Sequence, residues 1–174
     1  MRESLERAEQ QLKRVDHLIY VSLKYTRTVD MLKNTVNRII EAYDAGILAL
    51  LRFLKESGKV QEIPKSPGLR VNILKRIYEG EPVWLDFFNH YLHMREVMRS
   101  DFSRKEEFRR GVTMVSRIKG REVNISIDSV TEDYKKVKTF IALVAEYLEK
   151  DGEGDMEEML RKVLLDLEFD RRYY

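Results

Sequence analysis

The stretch Val29–Leu54, VDMLKNTVNRIIEAYDAGILALLRFL, decides the fold. Read in sevens it carries three apolar rows: Val29, Val36, Tyr43 and Leu50; Leu32, Ile39 and Phe53, with Gly46 in the same register; and Ile40, Ile47 and Leu54. Three apolar positions per heptad over this length predict one long helix with a buried stripe wider than a two-stranded coiled-coil seam. Gly46 falls within the stripe, where a missing side chain lets a neighbouring helix backbone come close. The rest of the chain reads as material packed on this helix.

Upstream, residues 3–24 carry apolar or small side chains in steps of three and four: Leu5, Ala8, Leu12, Val15, Ile19 and Ser22, widened by Leu18 and Leu23. They predict a first helix. Tyr25-Thr26-Arg27-Thr28 is a short break, and either threonine can cap the long helix. So short a connection demands an antiparallel helical hairpin. Downstream, Gly58 suits the left-handed residue past a helix end, and Ile63–Gly68, with Pro64 and Pro67, reads as a loop. A short helix is expected over 69–78. Pro82 then opens another that runs to about residue 99. Its Trp84, Phe87, Phe88, Tyr91 and Met94 make it the expected principal partner of the long helix.

Residues 112–127 alternate apolar and polar side chains around Lys119-Gly120, which predicts a β-hairpin. Two strands alone are marginal, so the hairpin must lie on the bundle or pair with another chain. Ser129-Val130-Thr131-Glu132 has the form of a capping box. It introduces a helix with Val130, Tyr134, Val137, Ile141, Val144 and Leu148 on one face, ended by Asp151-Gly152-Glu153-Gly154. A last helix over 155–169 is the piece most free to dock elsewhere. The expected fold is all-α: a single up-and-down helical-bundle domain over 1–174, with about five to six helices and a small β-hairpin insertion.

Of the 174 residues, 43% are hydrophobic and 36% charged, a balance that fits a globular chain and excludes wholesale disorder. No apolar run is long enough to span a bilayer, and Met1–Glu6 lacks the apolar core of a secretory signal. The absence of cysteine removes disulfides, thiolate metal sites and cysteine nucleophiles together. A cytoplasmic setting is expected. Few Gly and Pro with many Lys, Arg and Glu also suit a thermophile. The net charge of +2 hides a lopsided distribution. Eight Lys or Arg stand against three acids from Arg99 to Arg121, and nine acids against three bases from Glu149 to Asp170. The two segments can complement each other within a monomer or across a dimer, or the basic one can face phosphate.

Asp86, His90 and His93 form the best metal-like set, since i, i+4 and i+7 lie on one side of a helix; Glu96 extends the row. Phe87, Phe88, Tyr91 and Leu92 already claim the inward face, so a solvated row is the expectation there. Asp16, His17 and Tyr20 form a second cluster, with His17 read as a hydrogen-bonded histidine at the core edge. On the long helix, Asp30, Asn34, Asn37, Arg38, Glu41 and Asp44 form the polar side. Phosphate-loop and dinucleotide glycine patterns, nucleophile elbows and paired Glu-x-x-His motifs are absent. The chain therefore reads as a non-enzyme, and no cofactor is expected.

Asp16-His17-Leu18-Ile19-Tyr20, then Ala42-Tyr43-Asp44-Ala45, then Asp101-Phe102-Ser103-Arg104-Lys105-Glu106-Glu107-Phe108 before the hairpin resemble a group of archaeal helical proteins. These in turn resemble the HEPN domains (higher eukaryotes and prokaryotes nucleotide-binding). The similarity spans most of residues 5–148. It implies an up-and-down bundle, frequently dimeric. Some HEPN relatives are ribonucleases; others are partners or substrate-binding subunits of nucleotidyltransferases. The ribonucleases carry Arg followed by His after four to six residues, a spacing that no Arg–His pair has here: Arg14 to His17 has two residues between, Arg7 to His17 nine and Arg76 to His90 thirteen. No catalytic residues carry over. The expectation is a non-enzymatic HEPN-like protein acting through protein contacts, as a homodimer or as a partner of a nucleotidyltransferase-type system. The alternative is an RNA- or nucleotide-binding module. It would use Arg99, Arg104, Lys105, Arg109, Arg110, Arg117, Lys119 and Arg121 for phosphate, with Phe102 and Phe108 for stacking.

Overall fold

The long helix is α3, Val29–Glu56, and its three apolar rows are buried except for half-buried Phe53. Thr28 is its N-cap: the side-chain oxygen accepts from the Met31 N–H at 3.2 Å. At the other end Gly58 takes φ of +76°, as a helix-terminating glycine should. The computed structural model describes residues 1–171, with side chains through Glu168.

Before α3 come α1 (Arg2–His17), a π-helical turn (Leu18–Ser22) and α2 (Leu23–Tyr25), which run on as one rod. The rod lies antiparallel to α3, with Ser4 beside Arg52 at one end and the 26–28 turn at the other. Its buried face is Ser4, Ala8, Gln11, Val15, Ile19 and Leu23, while Leu5 and Leu12 are half-buried. Ala8, Val15, Ile19 and Leu23 lie on the buried face as expected, while Ser4 and Gln11 take the places of Leu5 and Leu12.

After α3 come α4 (Pro67–Ile77) and α5 (Pro82–Arg99), each with Pro in its first turn. Pro67, expected in the loop, opens α4 instead, where its missing N–H costs nothing. Then follow β1 (Phe102–Lys105), β2 (Thr113–Ile118), β3 (Arg121–Ser126), α6 (Ile127–Glu149) and α7 (Met156–Arg171). The molecule is mostly helical with a small antiparallel sheet. Tyr43 meets Phe140 and Phe53 meets Tyr147, so α3 and α6 run the same way. Trp84 meets Tyr147 and Phe88 meets Phe140, so α5 runs against both. Among the described residues no helix is long and apolar enough to cross a membrane.

The sheet has order β1-β2-β3, one strand more than the expected hairpin. Phe102–Lys105 pair with Ser116–Thr113, and Thr113–Ile118 pair with Ser126–Arg121. Lys119 and Gly120, at φ of +49° and +78°, make the two-residue turn whose twist suits a hairpin. Met114, Ser116 and Ile125 turn toward the bundle, and Ser116 donates to the Val97 carbonyl of α5 at 3.2 Å. The third strand and this seat on α5 answer the instability of a lone hairpin.

β3 feeds into α6 without a linker, so the cap falls at Ser126 rather than Ser129. The Ser129 N–H donates to Ser126 Oγ at 3.2 Å, and the Ser126 N–H donates to Ser129 Oγ at 2.8 Å. Glu132 takes no part in the cap and instead pairs with Lys135.

The core gathers where α5 and α6 meet α3, around Tyr78, Trp84, Phe88, Phe140 and Tyr147, with ring centroids 5.5–6.5 Å apart. α1 and α6 nevertheless lie closer to α3 than α5 does, against expectation. At Gly46 an added Cβ would sit 2.6 Å from Ile141 Cδ1 and 2.7 Å from Phe140 Cε1. Side chains of α6, not its backbone, use the space that glycine leaves.

Candidate functional site

A hydrogen-bonded polar network links α3, α5 and α6. Tyr43 and Asp44 follow each other on α3, and His90 and Tyr91 on α5. Tyr43 Oη lies 2.8 Å from His90 Nδ1, and His90 Nε2 lies 2.8 Å from Asp133 Oδ1 on α6. Burial, with Asp133 and Asp86 nearby, pushes the Tyr43 phenol well above its ordinary value. It keeps its proton and donates it to Nδ1; Nε2–H is then left to donate to Asp133. Tyr43 is fully buried, while His90 and Asp133 reach an open cleft of about 520 Å³ between α6 and α7, floored by Leu164 and Leu167. A hydroxyl shut in behind an imidazole cannot meet a substrate. This chain of bonds ties three helices in one register.

The second rung is its neighbour. Tyr91 donates to Asp44 Oδ1, and Arg95 Nη1 donates to the Tyr91 oxygen at 3.0 Å. The Arg95 guanidinium also lies 5.5 Å from the Tyr91 ring centroid and 3.8 Å from Asp44. Burial raises the Asp44 carboxyl above its ordinary value, against the lowering pull of Tyr91 and Arg95. Burial raises the Tyr91 phenol, and its bond to Asp44 adds to the effect. Both groups are thereby held in fixed donor and acceptor roles.

The metal-like set does not gather. Asp86 is exposed and paired with Lys136 at 2.8 Å, both nitrogens of His90 are engaged, and His93 is exposed. Glu96 faces Lys119 at 3.5 Å. Among the described residues no group of three His, Asp or Glu side chains is placed to hold a metal ion. The Asp16, His17 and Tyr20 cluster also disperses. Asp16 accepts from the Tyr134 hydroxyl at 3.1 Å, whereas His17 is exposed beside a groove lined by Arg14, Leu18 and Arg38. His17 is thus not the core-edge histidine of the sequence reading. On the polar side of α3, only Asp44 enters a buried network.

The basic segment is divided by the sheet. Arg99, Arg117, Lys119 and Arg121 lie at the tip of the hairpin; Arg104, Lys105, Arg109 and Arg110 lie at its base. A strand's length, about 3.3 Å per residue, separates the two groups. Arg104 is committed, to Asp30 at 2.9 Å and Glu107 at 3.1 Å. Phe102 is half-buried beneath Lys33 and Arg104, which already occupy its ring. Phe108 is 79% exposed.

Comparison with family models, curated proteins and solved structures finds no match to this chain.

Sequence reasoning missed Asp133 as the partner of His90, because 43 residues separate them and no motif links the two. It also missed exposed Tyr25, which follows an apolar stripe with nothing to mark it as outward.

Proposed function

We propose that this chain is a non-enzymatic, HEPN-like helical protein of the cytoplasm, which acts through protein contacts as a homodimer or as the partner subunit of a nucleotidyltransferase-type system. The observation that carries the reading is the outer face of α7. Its Met156, Met159 and Val163 are buried, yet Leu164 and Leu165 are 43% and 66% exposed. Exposed leucines beside an open cleft favour a partner surface. Glu157, Glu158, Asp166 and Glu168 flank them, with Arg161 on Glu157 and Lys162 on Glu146 as the counterweight. The ion pairs of α7 among the described residues are local ones, so the acidic helix is not neutralised by the basic segment of its own chain. A second copy offers Arg99, Arg117, Lys119 and Arg121 at its hairpin tip, of which only Lys119 has an ion-pair partner among the described residues. Two such contacts related by a two-fold axis make a closed dimer.

Light scattering across protein concentration and salt tests this. A dimer that weakens with salt, and that Leu164→Asp with Leu165→Asp converts to monomer, is the expected result. A monomer under all conditions that also fails to bind a co-expressed nucleotidyltransferase overturns the reading.

A further inference from the structure

Two aromatic rings stand in solvent where α2 turns into α3. Tyr25 and Phe108 are each 79% exposed, although one ends a helix and the other lies between β1 and β2. The Phe108 N–H donates to the Arg27 carbonyl at 2.7 Å, so the two rings rise from neighbouring backbone. A loop free to choose would turn its one phenylalanine inward, because an apolar ring in water is unfavourable. Here the backbone holds Phe108 at φ of +67° and Glu106 at +51°, the left-handed region that bulky side chains avoid. The loop is also anchored. Glu107 Oε1 accepts from the Val29 N–H and from Arg104, each at 3.1 Å. The ring is displayed by a fixed backbone.

The surroundings are cationic. Lys24, Arg27, Lys105, Arg109 and Arg110 have no ion-pair partner among the described residues. Of the acids at this end, Asp30 and Glu107 are held by Arg104, which leaves Glu106 and, at the start of α6 beyond Ser126, exposed Asp128. Just upstream, the π-helical turn places Tyr20 and Val21 outward, at 56% and 41% exposure.

We infer that this end of the molecule binds single-stranded nucleic acid, with bases stacked on Phe108 and Tyr25 and phosphates met by Lys24, Arg27, Lys105, Arg109 and Arg110. Rings this exposed take unstacked bases, with Lys24, 6.0 Å from the Tyr25 centroid, swinging off that ring to reach a phosphate, whereas the bases of a duplex are already stacked on one another. An acidic peptide would match the charge but presents a flat ring only where an aromatic residue falls, whereas a nucleic acid presents one at every unit. The inference uses the hairpin base and the proposed dimer uses the tip, so either stands if the other fails.

Fluorescence anisotropy of a labelled oligouridine of about twelve nucleotides, and of its thymidine counterpart, tests it with the full chain. Affinity should fall with salt, with a log–log slope of roughly −3 for about four to five phosphates. Phe108→Ser combined with Tyr25→Ser should weaken binding about tenfold or more at unchanged slope. Arg109→Ser with Arg110→Ser should reduce the slope by about 1.4. Arg117→Ser with Arg121→Ser, at the tip, should change nothing. All these side chains are exposed, and matching thermal melts confirm that each variant folds. Binding of both oligonucleotides, or of the ribose form alone, supports the inference. No binding at low salt, equal affinity for a duplex, or full binding by the Phe108 and Tyr25 double variant overturns it.

Discussion

Consecutive residues on an α-helix point about 100° apart. The pairs Tyr43-Asp44 and His90-Tyr91 turn that rule into two separate rungs between the same two helices. The rung through His90 makes a specific demand on stability. His90→Phe keeps a ring in place but leaves the buried Tyr43 hydroxyl without an acceptor and Asp133 without a donor. It should destabilise the fold by about 2–3 kcal/mol in urea unfolding. Adding Tyr43→Phe removes the orphaned hydroxyl, so the double variant should lose less than the sum of the single losses. Strict additivity would mean that the two side chains act independently. Gly46 makes a steric demand instead. Gly46→Ala gains helix propensity of about 1 kcal/mol but forces a methyl against Ile141 and Phe140, both buried. Overpacking of this kind costs about 1–3 kcal/mol, so net destabilisation is expected. Ile141→Val, which removes the nearest carbon, should restore part of it in the same unfolding measurement.

Among the elements, α6 and α7 are held by buried methionines and by an ion-pair cluster. Lys162 and Lys150 reach Glu146 at 2.9 Å and 3.3 Å, and Lys162 does most to hold its carboxyl below the ordinary value. A carboxyl lowered in the folded state adds stability above the ordinary carboxylate range and loses it as pH falls through the folded value. Glu146→Gln should therefore lower the thermal midpoint at neutral pH and have a vanishing effect in acid. A difference that persists at low pH would assign the effect to packing. Elements with one strong period were legible in the sequence: the rows of α3 and the face of α6 follow 3.6-residue spacing. β1 was not, because Phe102-Ser103-Arg104-Lys105 shows no apolar alternation and becomes a strand only by pairing with β2. The cap of α6 moved to Ser126 for a similar reason, since a strand running straight into a helix leaves no loop to advertise the boundary. Asp86, His90 and His93 share a helix side in sequence, yet α6 supplies Lys136 to one and Asp133 to another, and a single helix's periodicity carries no sign of its neighbour. The exposed ring of Phe108 depends on a left-handed backbone, which sequence does not mark at phenylalanine.

Over the whole molecule the balance of charge matters more than its sum. The net +2 is near neutral, but the basic groups lie at both ends of a hairpin and the acids crowd α7. Each of the two proposed contacts should weaken with salt, so ionic strength alone cannot tell them apart. Paired variants can. Tip substitutions should raise the monomer fraction in light scattering and leave oligonucleotide binding intact, and base substitutions should do the reverse. If one set of variants impaired both, a single shared surface would replace the two.

The lone indole of the chain, Trp84, has no accessible surface and is ringed by Tyr78, Phe88, Phe140 and Tyr147. It is a native optical gauge placed at the junction of three helices and shut off from solvent. Its emission follows the integrity of the core and stays silent to events on the periphery, so loss of shape can be told from loss of contact in one cuvette.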